Sequence, residues 1–101
     1  MKIGIFLNTD KNLDAVIGIT KAAVSKGHEV NIFGMDDGTK LFTQRSALMG
    51  LCGMKGVNLA FCDHSAKHMQ VDSTGIPAEV VCGSQYNNAV MNHESDRVII
   101  L

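Results

Sequence analysis

Apolar positions along the chain follow two different periods. Short runs of neighbouring apolar residues, several of them β-branched, predict five buried strands, at residues 2–7, 29–35, 57–61, 78–81 and 97–101. Apolar positions at helical spacing predict four helices between them, at residues 13–26, 43–55, 62–72 and 84–93. Polar or turn-forming stretches separate these elements, notably residues 36–40, which we expect to form a loop, and residues 73–77, which break the chain between the third helix and the fourth strand.

The alternation of strands and helices predicts an α/β fold. Parallel strands need crossover connections, so the pattern indicates a three-layer α/β/α sandwich with a mostly parallel five-stranded sheet and helices on both faces. In such sheets ligands bind at the carboxyl ends of the strands. Those ends carry polar or thiol side chains here, including Asn8, Asp36, Cys62 and Cys82.

Length and composition narrow the class of protein. The 101 residues, with 46% hydrophobic side chains and a net charge of −1, suit a single domain over residues 1–101. Lys and Arg number 9 and are not clustered, which argues against a nucleic-acid partner. No apolar run approaches the roughly 18 residues of a membrane span. Polar residues 8–10 interrupt the first apolar run before a signal peptide could form, so we expect a cytoplasmic protein.

The chain has 3 cysteines, an odd number that suits free thiols, a redox pair or metal ligands better than a disulfide framework. Cys62 lies where the third predicted strand meets the third predicted helix. Unpaired amides and the helix dipole at such a junction stabilise a thiolate, which a nucleophile or a persulfide carrier could use. The alternative is a buried strand-end cysteine that acts only as a small hydrophobic residue.

Polar neighbours favour an accessible mouth around Cys62. Asp63, His64 and Ser65 follow it directly and would shape this mouth, and the His64 imidazole could exchange a proton near neutral pH. Asn8 and Asp36, at the ends of the first two strands, could line the opposite wall.

Cys82 ends the fourth predicted strand as Cys62 ends the third. Neighbouring strands lie about 4.8 Å apart, and a disulfide needs Cα atoms within roughly 7 Å, so adjacent strands would make a redox or relay pair of Cys62 and Cys82 feasible. Cys52 shares an apolar stripe of the second predicted helix, which favours a packing role.

Metal and cofactor chemistry have weaker support. Cys62, His64 and His68 could together offer metal ligands, but a structural zinc site needs four, and the chain has no C-x-x-C motif. A solvated helix face explains the two histidines better. The sequence also contains no Walker loop, H-E-x-x-H or G-x-S-x-G motif, so no cofactor or metal is predicted.

Taken in order, four segments resemble the DsrE/DsrF-like family of sulfur-relay proteins. They are residues 1–7, 33–38, 56–66 and 95–100. The resemblance covers nearly the whole chain and implies that the cysteine at the strand-to-helix junction, Cys62 here, accepts sulfane sulfur as a persulfide. It also implies homo-oligomers, often trimers or hexamers, or hetero-oligomers with paralogues, and a partner protein that donates or accepts sulfur.

The resulting hypothesis is a small sulfur carrier, similar to a sulfurtransferase, that holds a persulfide on Cys62 and passes it to a partner. Cys82 is a candidate second thiol that the resemblance does not supply. The alternative hypothesis is a non-catalytic oligomeric binding or regulatory module, with a small ligand or a peptide in the cleft at the carboxyl ends of the strands.

Overall fold

A computed structural model describes the backbone of residues 1–101 and all side chains except those of residues 45–47, 49 and 73. The strands are β1 (Lys2–Leu7), β2 (Glu29–Gly34), β3 (Val57–Cys62), β4 (Val81–Gly83) and β5 (Arg97–Ile100). The α-helices are α1 (Leu13–Ser25), α2 (Arg45–Cys52), α3 (Asp63–His68) and α4 (Gln85–Glu94). Two 3₁₀ helices span Asp36–Thr43 and Ser73–Gly75.

The five strands form one sheet in the order β4-β3-β2-β1-β5. Each of the four strand pairings is parallel, so the predicted α/β class and parallel sheet are confirmed. The chain starts with β1, adds β2, β3 and β4 in turn toward one edge, and then places β5 on the other side of β1, at the opposite edge. This order makes β3 and β4 neighbours at one end of the sheet.

The larger hydrophobic core lies on one face of the sheet. There α1, α2, α3 and the Asp36–Thr43 3₁₀ helix pack on alternate strand residues such as Ile5, Ile32 and Phe61. The other face, called the α4 face below, carries the intervening residues of each strand, including Phe33 and Cys62, and Met91 of α4 packs on it. The chain therefore has helices on both faces, with the greater part of the core on one of them.

Several predicted boundaries were wrong for local reasons. The expected loop at residues 36–40 is the start of the 3₁₀ helix Asp36–Thr43, which buries Leu41 and Phe42. The third helix ends at His68 instead of residue 72, because Gln70 adopts a left-handed backbone conformation with φ 57°.

Two further differences, each larger than one residue, concern the second helix and the fourth strand. The second helix covers Arg45–Cys52 instead of residues 43–55, with Gly53 at its C-cap. The fourth strand is Val81–Gly83 instead of residues 78–81, because residues 77–80 form a turn closed by the Val80 N–H on the Pro77 carbonyl at 3.0 Å.

A close backbone approach fixes the 3₁₀ helix to the sheet at Gly38. A Cβ atom added at Gly38 would overlap the Leu7 carbonyl oxygen and lie 2.7 Å from its carbonyl carbon. We expect Gly38→Ala to destabilise the protein by about 1–3 kcal/mol, as overpacking typically does. The control is Gly18→Ala, since no described atom lies within 4 Å of an added Cβ there. Urea unfolding compares the two variants, and equal free energies of unfolding would contradict this packing argument.

Candidate functional site

Cys62 ends β3 and forms the N-cap of α3. Alternation along β3 places its side chain on the α4 face, where it packs with Phe33 and Met91. The residue is only 3% exposed. Cys62 therefore combines the strand-end position expected of a reactive thiol with the burial expected of a packing residue.

Polar groups of Ser65, Gln85 and His64 act on the pKa of the Cys62 thiol. Burial raises its pKa, but the backbone N–H and the hydroxyl of Ser65, the side-chain amide of Gln85 and the backbone N–H of His64 outweigh burial and lower it. Ser65 is itself 5% exposed, so the hydroxyl that acts on this pKa is sheltered from solvent. The arrangement favours the thiolate, which is the nucleophilic form of cysteine.

The exposed thiol of Cys82 has the opposite electrostatic setting. Lys67 Nζ lies 3.0 Å from Asp63 Oδ2, and this contact holds the pKa of the Asp63 carboxyl below its ordinary value. Burial and the neighbouring Asp63 carboxylate raise the pKa of Cys82. Asp63 thus faces Lys67 and Cys82, and Cys82 is held in its protonated form.

Strand register separates Cys62 from Cys82. The two strands are neighbours, as a pair of thiols would require, but Cys82 is level with Phe61, and Cys62 is level with Gly83. Because successive side chains of a strand point to opposite faces, the two thiols lie on opposite faces of the sheet. A direct disulfide between them would need backbone movement. All three cysteines are free, and Cys52 is half-buried against the larger core.

The other residues predicted to line the site are only partly brought together. The backbone N–H of His64 acts on the pKa of Cys62, but His64 itself is an exposed residue. Asp36 is exposed at the start of the 3₁₀ helix after β2, in a left-handed conformation with φ 49°. Asn8 is exposed after β1, and β2 separates β1 from β3, so Asn8 follows a strand roughly 10 Å from that of Cys62.

Sequence reasoning missed Gln85, the first residue of α4. Its Nε2 donates to Met35 Sδ at 3.5 Å, and its Oε1 accepts from Asn88 Nδ2 at 3.2 Å. The Ser84 side chain caps α4 and fixes where the helix begins beside the end of β4. One signal could have found Gln85: a helix that starts at Ser84, directly after a strand next to β3, brings its first turn to the edge of the sheet that holds Cys62.

The described residues can be checked for clusters of metal ligands and for helices that could span a membrane. His64 and His68 are both exposed on α3. Among the residues whose side chains are described, no three His, Cys, Asp or Glu residues lie close enough together to hold a metal ion. None of the helices in the described structure combines the length and the apolar character that crossing a bilayer requires.

The pKa directions predict an order of reactivity. We expect alkylation of Cys62 to reach half of its plateau rate at lower pH than alkylation of Cys52 or Cys82, because the pKa of Cys62 is lowered while burial raises the other two. Peptide-resolved mass spectrometry of protein alkylated across a pH series gives all three midpoints from one sample. A Cys62 midpoint at or above the ordinary thiol value of about 8.5 would contradict the lowering of the Cys62 pKa by Ser65, Gln85 and His64.

Comparisons with known proteins agree with this fold. A model of the DsrE/DsrF-like family matches residues 1–101. The crystal structure of the ychN protein from E. coli superposes with a TM-score of 0.76 at 12% sequence identity, covering 99% of this chain and 97% of that one. The structure of MTH1491 from Methanobacterium thermoautotrophicum, a protein of unknown function, superposes with a TM-score of 0.72 at 12% identity, covering 99% and 98%. A search of curated protein sequences found no match.

Proposed function

This chain belongs to the DsrE/DsrF-like family, which is associated with sulfur relay, and we propose that it carries sulfane sulfur as a persulfide on Cys62. The observation that carries the proposal is the set of donors from Ser65, Gln85 and His64, which lowers the pKa of a thiol that burial would otherwise raise. The Cys62 thiolate is the group that would take up sulfur and release it again.

Loading exchanges one S–S bond for another. The Cys62 thiolate attacks the outer sulfur of a donor R–S–SH, the S–S bond of the donor breaks, and R–S⁻ leaves with the electron pair. Cys62 then carries S–SH, and no external oxidant is consumed. In transfer, an acceptor thiolate attacks this outer sulfur and the Cys62 thiolate leaves. A lowered pKa assists transfer because thiols of lower pKa leave faster.

The proposal includes a partner protein that donates or accepts the sulfur, a single working domain over residues 1–101 and a cytoplasmic setting. It also includes assembly into homo-oligomers, trimers or hexamers, or into hetero-oligomers with paralogues. Exposed apolar side chains on or beside the α4 face support assembly. Val81 is 54% exposed, Val98 40% and Ile100 69%, and interface cores are typically built from such side chains.

The proposal is tested by incubating the reduced protein with inorganic polysulfide and measuring its intact mass. We expect a gain of one sulfur per chain, which dithiothreitol removes. The control is the same protein incubated without polysulfide. No gain across a pH series that spans the midpoint of Cys62 alkylation would refute the carrier.

The near-complete burial of Cys62 favours a second candidate, a binding or regulatory module. A groove of about 210 Å³ runs along α4, and its lining includes Phe33, Ala60, Val81 and Met91. None of the five residues predicted to line the strand-end site lines this groove, so a ligand in it would lie beside α4 instead of over the strand ends. Slow alkylation of Cys62 at every pH, together with absent sulfur uptake, would favour this module over the carrier.

A further inference from the structure

The exposed side chain of Gln85 lies next to the buried cluster that contains Cys62, because Gln85 donates to Met35 and Met35 packs against that cluster. Cys62 is 3% exposed, whereas Gln85 is an exposed residue at the start of α4. The Gln85 amide bridges two elements, since Nε2 donates to Met35 Sδ after β2 and Oε1 accepts from Asn88 of α4. We propose that Gln85 is a gate over Cys62, which must leave Met35 before a bulky sulfur compound can reach the thiol, and which thereby selects small donors over bulky ones.

Burial of the thiol creates the need for a gate. The proposed function, on which this inference rests, requires a donor sulfur to reach Cys62 Sγ and the outer persulfide sulfur to occupy space next to it. On one side of Sγ that space is filled by Phe33 and Met91, which pack with Cys62 on the α4 face. Interiors are close-packed, so a second sulfur is accommodated more readily on the side of Sγ away from Phe33 and Met91.

The side chain of Gln85 can rotate away from Met35 at little cost. Its contact with Met35 is weak, because a thioether sulfur is a poor hydrogen-bond acceptor and the N···S distance is 3.5 Å. Rotation of an exposed side chain takes picoseconds to nanoseconds, so the gate opens without unfolding α4. Asn88 holds the other end of the same amide and would bias Gln85 toward the closed position.

In the closed position, in contact with Met35, Gln85 affects the chemistry of the Cys62 thiol as well as access to it. In the closed position the Gln85 amide is among the groups that lower the pKa of Cys62, so the thiolate is stabilised while it is shielded. Shielding limits the reaction of the unloaded Cys62 thiol with large disulfides. Gln85 therefore acts as a specificity-determining residue for sulfur compounds that can enter beside it.

The test compares alkylation by two maleimides that share one reactive group. N-ethylmaleimide is small, and a maleimide carrying a long polyethylene glycol chain is bulky. Peptide-resolved mass spectrometry gives the rate constant at each cysteine, and the exposed Cys82 on the opposite face serves as an internal reference. Rates are measured across pH, so that the plateau reports access and the midpoint reports the thiolate population.

In the wild type we expect the ratio of small-reagent to bulky-reagent plateau rates at Cys62 to exceed that at Cys82 by about tenfold or more, as for an open state populated at 10% or less. Gln85→Ala is expected to reduce the Cys62 ratio to the Cys82 value and to move the midpoint to higher pH. Asn88→Ala is expected to give an intermediate ratio. Tyr86→Ala is the matched control, because its side chain is 75% exposed, and it should leave the ratio unchanged.

A Cys62 ratio that Gln85→Ala does not change would overturn the gate, as would an equal loss of selectivity in Tyr86→Ala. These outcomes are separate from those of the sulfur-loading experiment. If Cys62 takes up sulfur while Gln85→Ala leaves the ratio of alkylation rates at Cys62 unchanged, the sulfur-carrier proposal is supported and the gate proposal is refuted. If Gln85→Ala abolishes the selectivity while neither the wild type nor any variant takes up sulfur, Gln85 controls access to Cys62, but the sulfur-carrier proposal is refuted.

Discussion

Cys62→Ser is expected to abolish sulfur uptake completely. Serine preserves the size of the side chain among Phe33 and Met91, but its hydroxyl is not deprotonated near neutral pH and cannot hold a persulfide. The intact mass of the variant should therefore show no added sulfur after incubation with polysulfide, under conditions in which the wild type gains one sulfur per chain.

Cys52→Ser and Cys82→Ser are the matched controls for this result. The pKa values of both thiols are raised, so both remain mainly protonated where Cys62 is ionised, and removing either should leave the uptake intact. Uptake that persists in Cys62→Ser and disappears in Cys82→Ser would show that Cys82 carries the sulfur, and would refute the assignment to Cys62.

Phe42→Ala is expected to destabilise the fold by about 3–5 kcal/mol, the usual cost of truncating a buried aromatic side chain. Phe42 is 1% exposed and packs against Phe61 with ring centroids 6.2 Å apart. Its ring also fills the space beside Gly34, where an added Cβ would overlap it. The loss is a large part of the 5–15 kcal/mol that typically stabilises a domain, and chemical denaturation measures it directly.

Tyr86→Ala serves as the control for Phe42, because it removes an aromatic side chain that is 75% exposed. Its free energy of unfolding should stay within about 0.5 kcal/mol of the wild type. If Phe42→Ala were equally mild, the 3₁₀ helix would not be part of the core, and the packing described for Gly38 would fail with it.

The regular elements could be predicted from periodicity because burial on one or two faces imposes it. The strand at residues 2–7 and the start of the first helix at Leu13 have the bounds that the apolar pattern predicts. The junction position of Cys62 follows from the same pattern, since a strand that ends next to a helix start needs no tertiary information. The α/β class follows from the alternation of the elements.

Features set by contacts between distant segments could not be predicted. Residues 36–40 look like a polar loop, but Leu41 and Phe42 after them are held by the larger core and fold the segment into a 3₁₀ helix. Pattern alone does not give register, and the offset of one residue between β3 and β4 decides that Cys62 and Cys82 lie on opposite faces. Gln85 reaches Met35 only through the tertiary placement of α4.

The most direct test of the account is to locate the added sulfur in the wild-type chain, with all three cysteines present. Protein loaded with polysulfide is trapped with iodoacetamide, digested without reductant and analysed by tandem mass spectrometry. The account predicts an alkylated persulfide on the peptide that contains Cys62 and ordinary thioethers on the peptides of Cys52 and Cys82. An added sulfur found mainly on Cys82, or spread evenly over the three cysteines, would contradict it.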